Sequence, residues 1–127
     1  MKYKLIVLKE WPPIINFFIS AGAISIYPFL FTVRGWEKNR AVMLHEELHL
    51  REQKEMGTIK WLLKYLFSKS FRYDAELRGH AMAVANGYNL KSAAKEFSEN
   101  YNLGITPTEA KRAIKQEIRR GNYNIDE

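Results

Sequence analysis

The spacing of apolar and polar residues changes character near residue 39. Residues 2 to 8, Lys-Tyr-Lys-Leu-Ile-Val-Leu, are β-branched and partly alternating, and they stop before Trp11-Pro12-Pro13, which predicts an opening strand. Residues 14 to 33 form the most apolar stretch. Its length approaches that of a membrane-spanning helix, and Lys2, Lys4 and Lys9 ahead of it, with Ala21-Gly22-Ala23 inside, are also laid out like a signal peptide. Glu10 and the paired prolines in front, and Asn16, Ser20, Gly22, Ser25 and Pro28 within, interrupt both patterns. The expectation is a short turn of helix followed by two buried strands, Ala23 to Tyr27 and Phe29 to Val33, bent at Pro28, with no stable membrane span.

From Asn39 onward the period is helical. Asn39 can cap a first long helix that stops at Gly57. Thr58 can cap a second through Phe67, with Ile59, Leu62, Leu63 and Leu66 on one side and Lys60 and Lys64 on the other. Packing of that apolar side against the core is the expectation, although basic amphipathic helices also lie on membranes. Ser70 can cap a third helix to about Gly87, and Asn89 a fourth through about Tyr101. Thr106-Pro107-Thr108-Glu109 is a capping box with Pro at the first helical position, opening a last helix that ends at Gly121. The fold class that follows is α+β, mostly α, with short N-terminal strands and about five helices. The 127 residues are expected to form one domain, and an apolar content of 46% is enough for a modest core.

Residues 45 to 49 read His-Glu-Glu-Leu-His in the middle of the first long helix, between flanks free of Gly and Pro. One turn apart, His45 and His49 project from one face and can share a Zn²⁺, with Glu46 beside them as a base for water. The chain has no Cys, so any metal must be held by imidazole and carboxylate. The bland alternative is a solvated helix with Leu44 and Leu48 as its core stripe and the histidines at the stripe's edge.

A catalytic zinc takes three protein ligands and keeps one position open. On the third helix Tyr73, Glu76, His80 and Ala83 form one stripe, beside an apolar stripe of Leu77, Ala81, Val84 and Tyr88. Glu76 is the preferred third ligand, because one complete connecting helix lets the chain double back onto the motif. Its ordinary reading is a surface carboxylate paired with Arg72. Glu52, already on the motif helix, would approach from the wrong direction. Tyr73 and His80 are candidates for oxyanion donation or an outer-shell bond, with plain packing as the duller reading of Tyr73.

These residues carry a resemblance. His45-Glu46-Glu47-Leu48-His49, then Arg51-Glu52-Gln53, then Tyr73-Asp74-Ala75-Glu76 on a later helix resemble the gluzincin zinc metallopeptidases. The likeness is best to their minimal single-domain members in phage and bacterial genomes, the minigluzincins. It spans roughly residues 23 to 84, with Ile105 to Ala110 a weaker echo of a closing helix. The resemblance implies a zincin-like fold, with His45, His49 and Glu76 as ligands to one zinc and Glu46 as general base. It also implies that an edge strand within Ala23 to Val33 receives a peptide substrate by β-addition. Two positions depart from it: His80 stands where larger relatives carry Asp, and Arg78 where small members carry an acidic residue.

The leading expectation is therefore a cytoplasmic zinc-dependent metallopeptidase acting on peptides or small proteins. The rival is a non-catalytic, zinc-stabilised binding module, whose site would be closed by a fourth ligand such as His80. The net charge of +6 admits an anionic partner, but Lys and Arg are scattered without a run longer than two. Nucleic-acid binding by the last two helices is disfavoured by their long connection and few aromatics, and no nucleic-acid partner is expected. Association with a membrane is the remaining alternative.

Overall fold

The computed structural model describes residues 1–11 and 23–123, which form a three-stranded sheet followed by five helices. The strands are β1 (Lys4–Leu8), β2 (Ala23–Ile26) and β3 (Phe29–Val33), in the order β1-β3-β2. β3 is central, parallel to β1 and antiparallel to β2 through a turn at Tyr27-Pro28. The helical turn expected after the paired prolines lies outside the described residues. A short 3-10 turn, Trp36–Lys38, leads from the sheet to the helices α1 (Arg40–Met56), α2 (Thr58–Phe67), α3 (Lys69–Ala85), α4 (Leu90–Glu99) and α5 (Pro107–Arg120). The α+β, mostly helical class read from the pattern is the one observed.

Local chemistry sets most boundaries. Asn39 accepts a hydrogen bond from the Val42 amide at 3.2 Å to start α1, and Gly57, at φ 102°, ends it. Asn89 caps α4 through the Ser92 amide, and Thr106 and Glu109 form both bonds of a capping box on α5. Two expected caps move. α3 is capped by Ser68, whose Oγ accepts from the Phe71 amide, rather than by Ser70, which lies inside the helix. Gly57 rather than Thr58 caps α2, and the Thr58 hydroxyl instead donates to the Tyr27 carbonyl. Each serine or threonine was a competent cap, and the chain direction after the preceding helix chooses between them.

Packing departs from the pattern in two places. On α1 the buried positions are Ala41, His45, His49, Leu50 and Gln53, while Leu44 and Leu48 are half-buried. The stripe facing the interior is thus the polar one, which inverts the solvated-helix reading. On α2 the expected apolar face is not buried: Ile59, Leu63, Leu66 and Phe67 are 75%, 52%, 65% and 84% exposed, and Trp61 points inward at 3%. The apolar core lies instead between α3, α4 and α5, around Phe97, Leu103 and Ile114. A smaller cluster of Ala23, Leu30 and Leu50 joins the sheet to α1.

Gln53 fixes that joint. Fully buried, it accepts from the Tyr27 amide at 2.6 Å and donates to the Ser25 carbonyl at 2.9 Å, so α1 is pinned to the β2–β3 turn. At the other end Tyr3 donates to Glu47 at 2.5 Å. α1 packs most extensively against α3. That pairing brings residues 45–49 and 76–80 face to face.

Candidate metal centre

Three donor atoms converge between α1 and α3. His45 Nε2 and His49 Nε2 are 3.0 Å apart, and Glu76 Oε1 lies 3.0 Å from the first and 3.1 Å from the second. Two ligands on one tetrahedral zinc, each at about 2.0–2.1 Å, are about 3.3 Å apart, so the triangle has the dimensions of three corners around one ion. Hydrogen bonding alone does not satisfy it. At most two Nε2 protons are available for three edges, so one pair of electronegative atoms always faces another without a proton between them. The donor set, two imidazoles and a carboxylate with no sulfur, suits Zn²⁺.

Burial makes this convergence costly and therefore informative. Glu76 is 4% exposed, and Arg72 donates instead to the carbonyls of Tyr101, Tyr65 and Leu66, which removes the surface ion-pair reading of Glu76. Burial pushes the Glu76 carboxyl up, but the charge of His49 and the bonds from both histidines outweigh it and hold it well below the usual carboxylate range. His49 shows the mirror effect: burial favours its neutral form, yet Glu76 and Glu52 raise it well above an ordinary imidazole. The pocket is thus built for a carboxylate beside positive charge.

A surrounding layer holds these three side chains in place. Tyr65, on the inner face of α2, donates to the second oxygen of Glu76 at 2.5 Å. Trp61 lays its ring 5.4 Å from that of His49 and stacks on Tyr65. The Nδ1 of His49 makes no hydrogen bond among the described residues, but it faces Glu52 Oε1 at 3.8 Å, close enough for charge attraction. Glu52 is itself bound by Arg78 at 2.7 Å and receives the Trp61 indole N–H at 3.4 Å. A carboxylate behind a ligating imidazole orients the ring and raises its basicity. Arg78 thus serves to position Glu52. Gly79 permits the close approach of α3, since a Cβ there would fall 2.4 Å from His45 Nε2.

Glu46 projects into a cleft rather than the triangle. Ala23, Trp36, Val42, His45, Glu46, Tyr88 and Tyr101 are among the residues lining it. Burial raises the Glu46 carboxyl despite the opposing charges of His45 and His49 and the lowering effect of the Ser25 side chain. A carboxylate with a raised pKa is a better proton acceptor than an ordinary one.

His80 is brought to the site and Tyr73 is not. The ring of His80 stands 4.6 Å from that of His45, and donor atoms of His45, Glu76 and His80 fall within 4.8 Å of one another, which makes His80 an alternative ligand. Its Nε2 is engaged with the Tyr101 hydroxyl at 3.0 Å, however, and the tighter triangle is the one with His49. Burial and the charge of His45 hold His80 neutral, well below its usual range. Tyr73 packs on Phe97 at 5.2 Å and borders Asp74 and Glu109, so its ring belongs to the apolar core rather than to the cleft. The tyrosines that do reach the centre, Tyr65 and Tyr101, carry no signal in the sequence, because neither shares a helical stripe with His45, His49 or Glu76. Gly79 carried the one local signal, an interior helix glycine that costs stability unless something needs the space.

No family description matches the chain, and neither a curated protein nor a solved structure matches it. The functional reading rests on the centre itself.

Proposed function

We propose that the protein is a zinc-dependent metallopeptidase of the gluzincin type, with His45, His49 and Glu76 as the metal ligands and Glu46 as the general base. The observation that carries this reading is the triangle of donor atoms 3.0–3.1 Å apart with a raised, cleft-facing carboxylate beside it. A Zn²⁺ held by His45, His49 and Glu76 would supply Lewis acidity, which lowers the pKa of water and polarises a carbonyl. Glu46 accepts the proton of the attacking water and can return it to the leaving amine. Burial, with the charge of Glu76 nearby, keeps the Tyr101 hydroxyl protonated, and with His80 Nε2–H donating to it its own proton is left for charge developing on a carbonyl oxygen in the same cleft.

Peptide is the substrate class that the surroundings favour. β2 is an edge strand, and its first residue, Ala23, lines the cleft beside His45 and Glu46. An extended backbone can pair with such an edge and bring its carbonyl to the base. Among the described residues no helix is long and apolar enough to cross a membrane. The reading includes a cytoplasmic setting, which a chain without Cys suits.

The rival, a zinc-stabilised binding module, is favoured by one observation, the presence of His80 within reach of a fourth coordination position. A mixed peptide pool incubated with the zinc-loaded protein separates the two. The peptidase reading expects cleavage that disappears in Glu46→Gln while its zinc content is retained. Wild-type turnover in Glu46→Gln, or no cleavage by zinc-loaded wild type, rejects it.

A further inference from the structure

The second helix has three distinct faces. At about 100° per residue, Trp61 and Tyr65 point inward to His49 and Glu76. Ile59, Leu63, Leu66 and Phe67 point outward as a contiguous apolar face, each more than half exposed. Lys60 and Lys64 stand along one border of that face, the latter with its ammonium 5.8 Å over the Phe71 ring. α2 contains no Asp or Glu. A concentration of large apolar side chains on one short helix is unusual for a surface that meets only water.

We propose that this face docks on a membrane surface bearing anionic headgroups, with α2 lying in the plane of the interface. The acyl boundary takes Ile59, Leu63, Leu66 and Phe67, and the headgroup phosphates take Lys60 and Lys64. A helix of ten residues is about 15 Å long, too short to span the bilayer, so it lies on it. A second copy of the chain is a poorer occupant. An isologous pair of antiparallel helices would place this face on itself and bring the lysines of two copies together with no carboxylate on α2 to offset them. Because Trp61 and Tyr65 on the opposite face support the metal ligands, docking through α2 would hold the centre within one helix of the membrane. The docking rests on α2 alone, so its failure leaves the metal reading untouched.

Co-sedimentation of the full chain with vesicles tests this. Vesicles of phosphatidylcholine containing about 30% phosphatidylglycerol should carry the protein down, vesicles of phosphatidylcholine alone much less, and added salt should release it. Replacing Lys60 and Lys64 together with Glu should weaken binding by more than about twentyfold, since each lysine contributes roughly fivefold near such a surface. Leu63→Asp with Phe67→Asp should weaken it at least about tenfold. All four side chains are solvent-facing, so circular dichroism and zinc binding of both variants should match wild type. The proposal is overturned by wild-type protein that stays in the supernatant, by equal binding to both vesicle types, or by binding that neither variant changes. It is overturned equally by a wild-type dimer that Leu63→Asp with Phe67→Asp converts to monomer without any vesicle binding.

Discussion

Replacing Gly79 with Ala adds one methyl group in the interior of α3, where Ala ordinarily stabilises a helix by about 1 kcal/mol relative to Gly. Here the new Cβ would fall 2.4 Å from Nε2, 2.5 Å from Cδ2 and 2.9 Å from Cε1 of His45. Non-bonded carbon contacts settle near 3.5–4.0 Å, so the imidazole has to retreat by about 1 Å. Metal donors tolerate displacements of only about 0.2 Å, and His45 would leave the triangle. Overpacking of this kind costs about 1–3 kcal/mol; after the gain in helix propensity the metal-free protein should lose only about 0–2 kcal/mol and stay folded. Zinc affinity should fall by more than the 10–100-fold that loss of an outer-shell partner produces. Competition with a chromophoric chelator measures the affinity, and a thermal melt in the presence of chelator measures the metal-free fold. A Gly79→Ala protein that binds zinc within a factor of about three of wild type would refute the packing of α3 on His45 as the support of the centre.

Glu76→Ala should nearly abolish zinc binding, whereas His80→Ala should weaken it by at most about 10–100-fold; chelator competition on both variants gives the order, and the reverse order would move the ligand assignment to His80. Tyr65→Phe removes the donor to Glu76 Oε2, and it should lower zinc affinity within about 10–100-fold while leaving cleavage in saturating zinc nearly intact; unchanged affinity would show that the bond is idle. Zinc affinity should rise with pH through the neutral range. The reason is that His49, raised above the ordinary imidazole range, holds a proton in the metal-free protein that binding must release. Calorimetry in buffers of different ionisation enthalpy counts that proton, and a pH-independent affinity with no release contradicts it.

The parts of this molecule legible in the sequence are those decided within one or two turns of chain. Asn39, Asn89 and the Thr106–Glu109 box begin their helices because a side-chain oxygen reaches an amide three residues on. His45, Glu46 and His49 are recognisable because helical spacing alone puts the imidazoles together. Glu76 was reachable from its stripe, but its partner Tyr65 lies on another helix, and Tyr101 meets His80 across 21 positions in the chain. The buried face of α2 departs from its apolar period for a related reason. Period alone assigns Ile59, Leu63 and Leu66 to one side of the helix, whereas the core it packs against is polar and aromatic and takes Trp61 and Tyr65 instead. Gln53 reads as a surface residue by type, and becomes the joint between α1 and the sheet only once the Ser25 carbonyl and the Tyr27 amide are in place.

The central claim is that His45, His49 and Glu76 hold a single zinc. Crystals grown with zinc and measured on both sides of the zinc absorption edge test it most directly. One anomalous peak per chain is expected between α1 and α3, about 2.0–2.2 Å from His45 Nε2, His49 Nε2 and Glu76 Oε1, with a coordination position left for solvent. A peak ligated by His80 in place of His49, a fourth protein ligand closing the site, or no peak between these helices would contradict it.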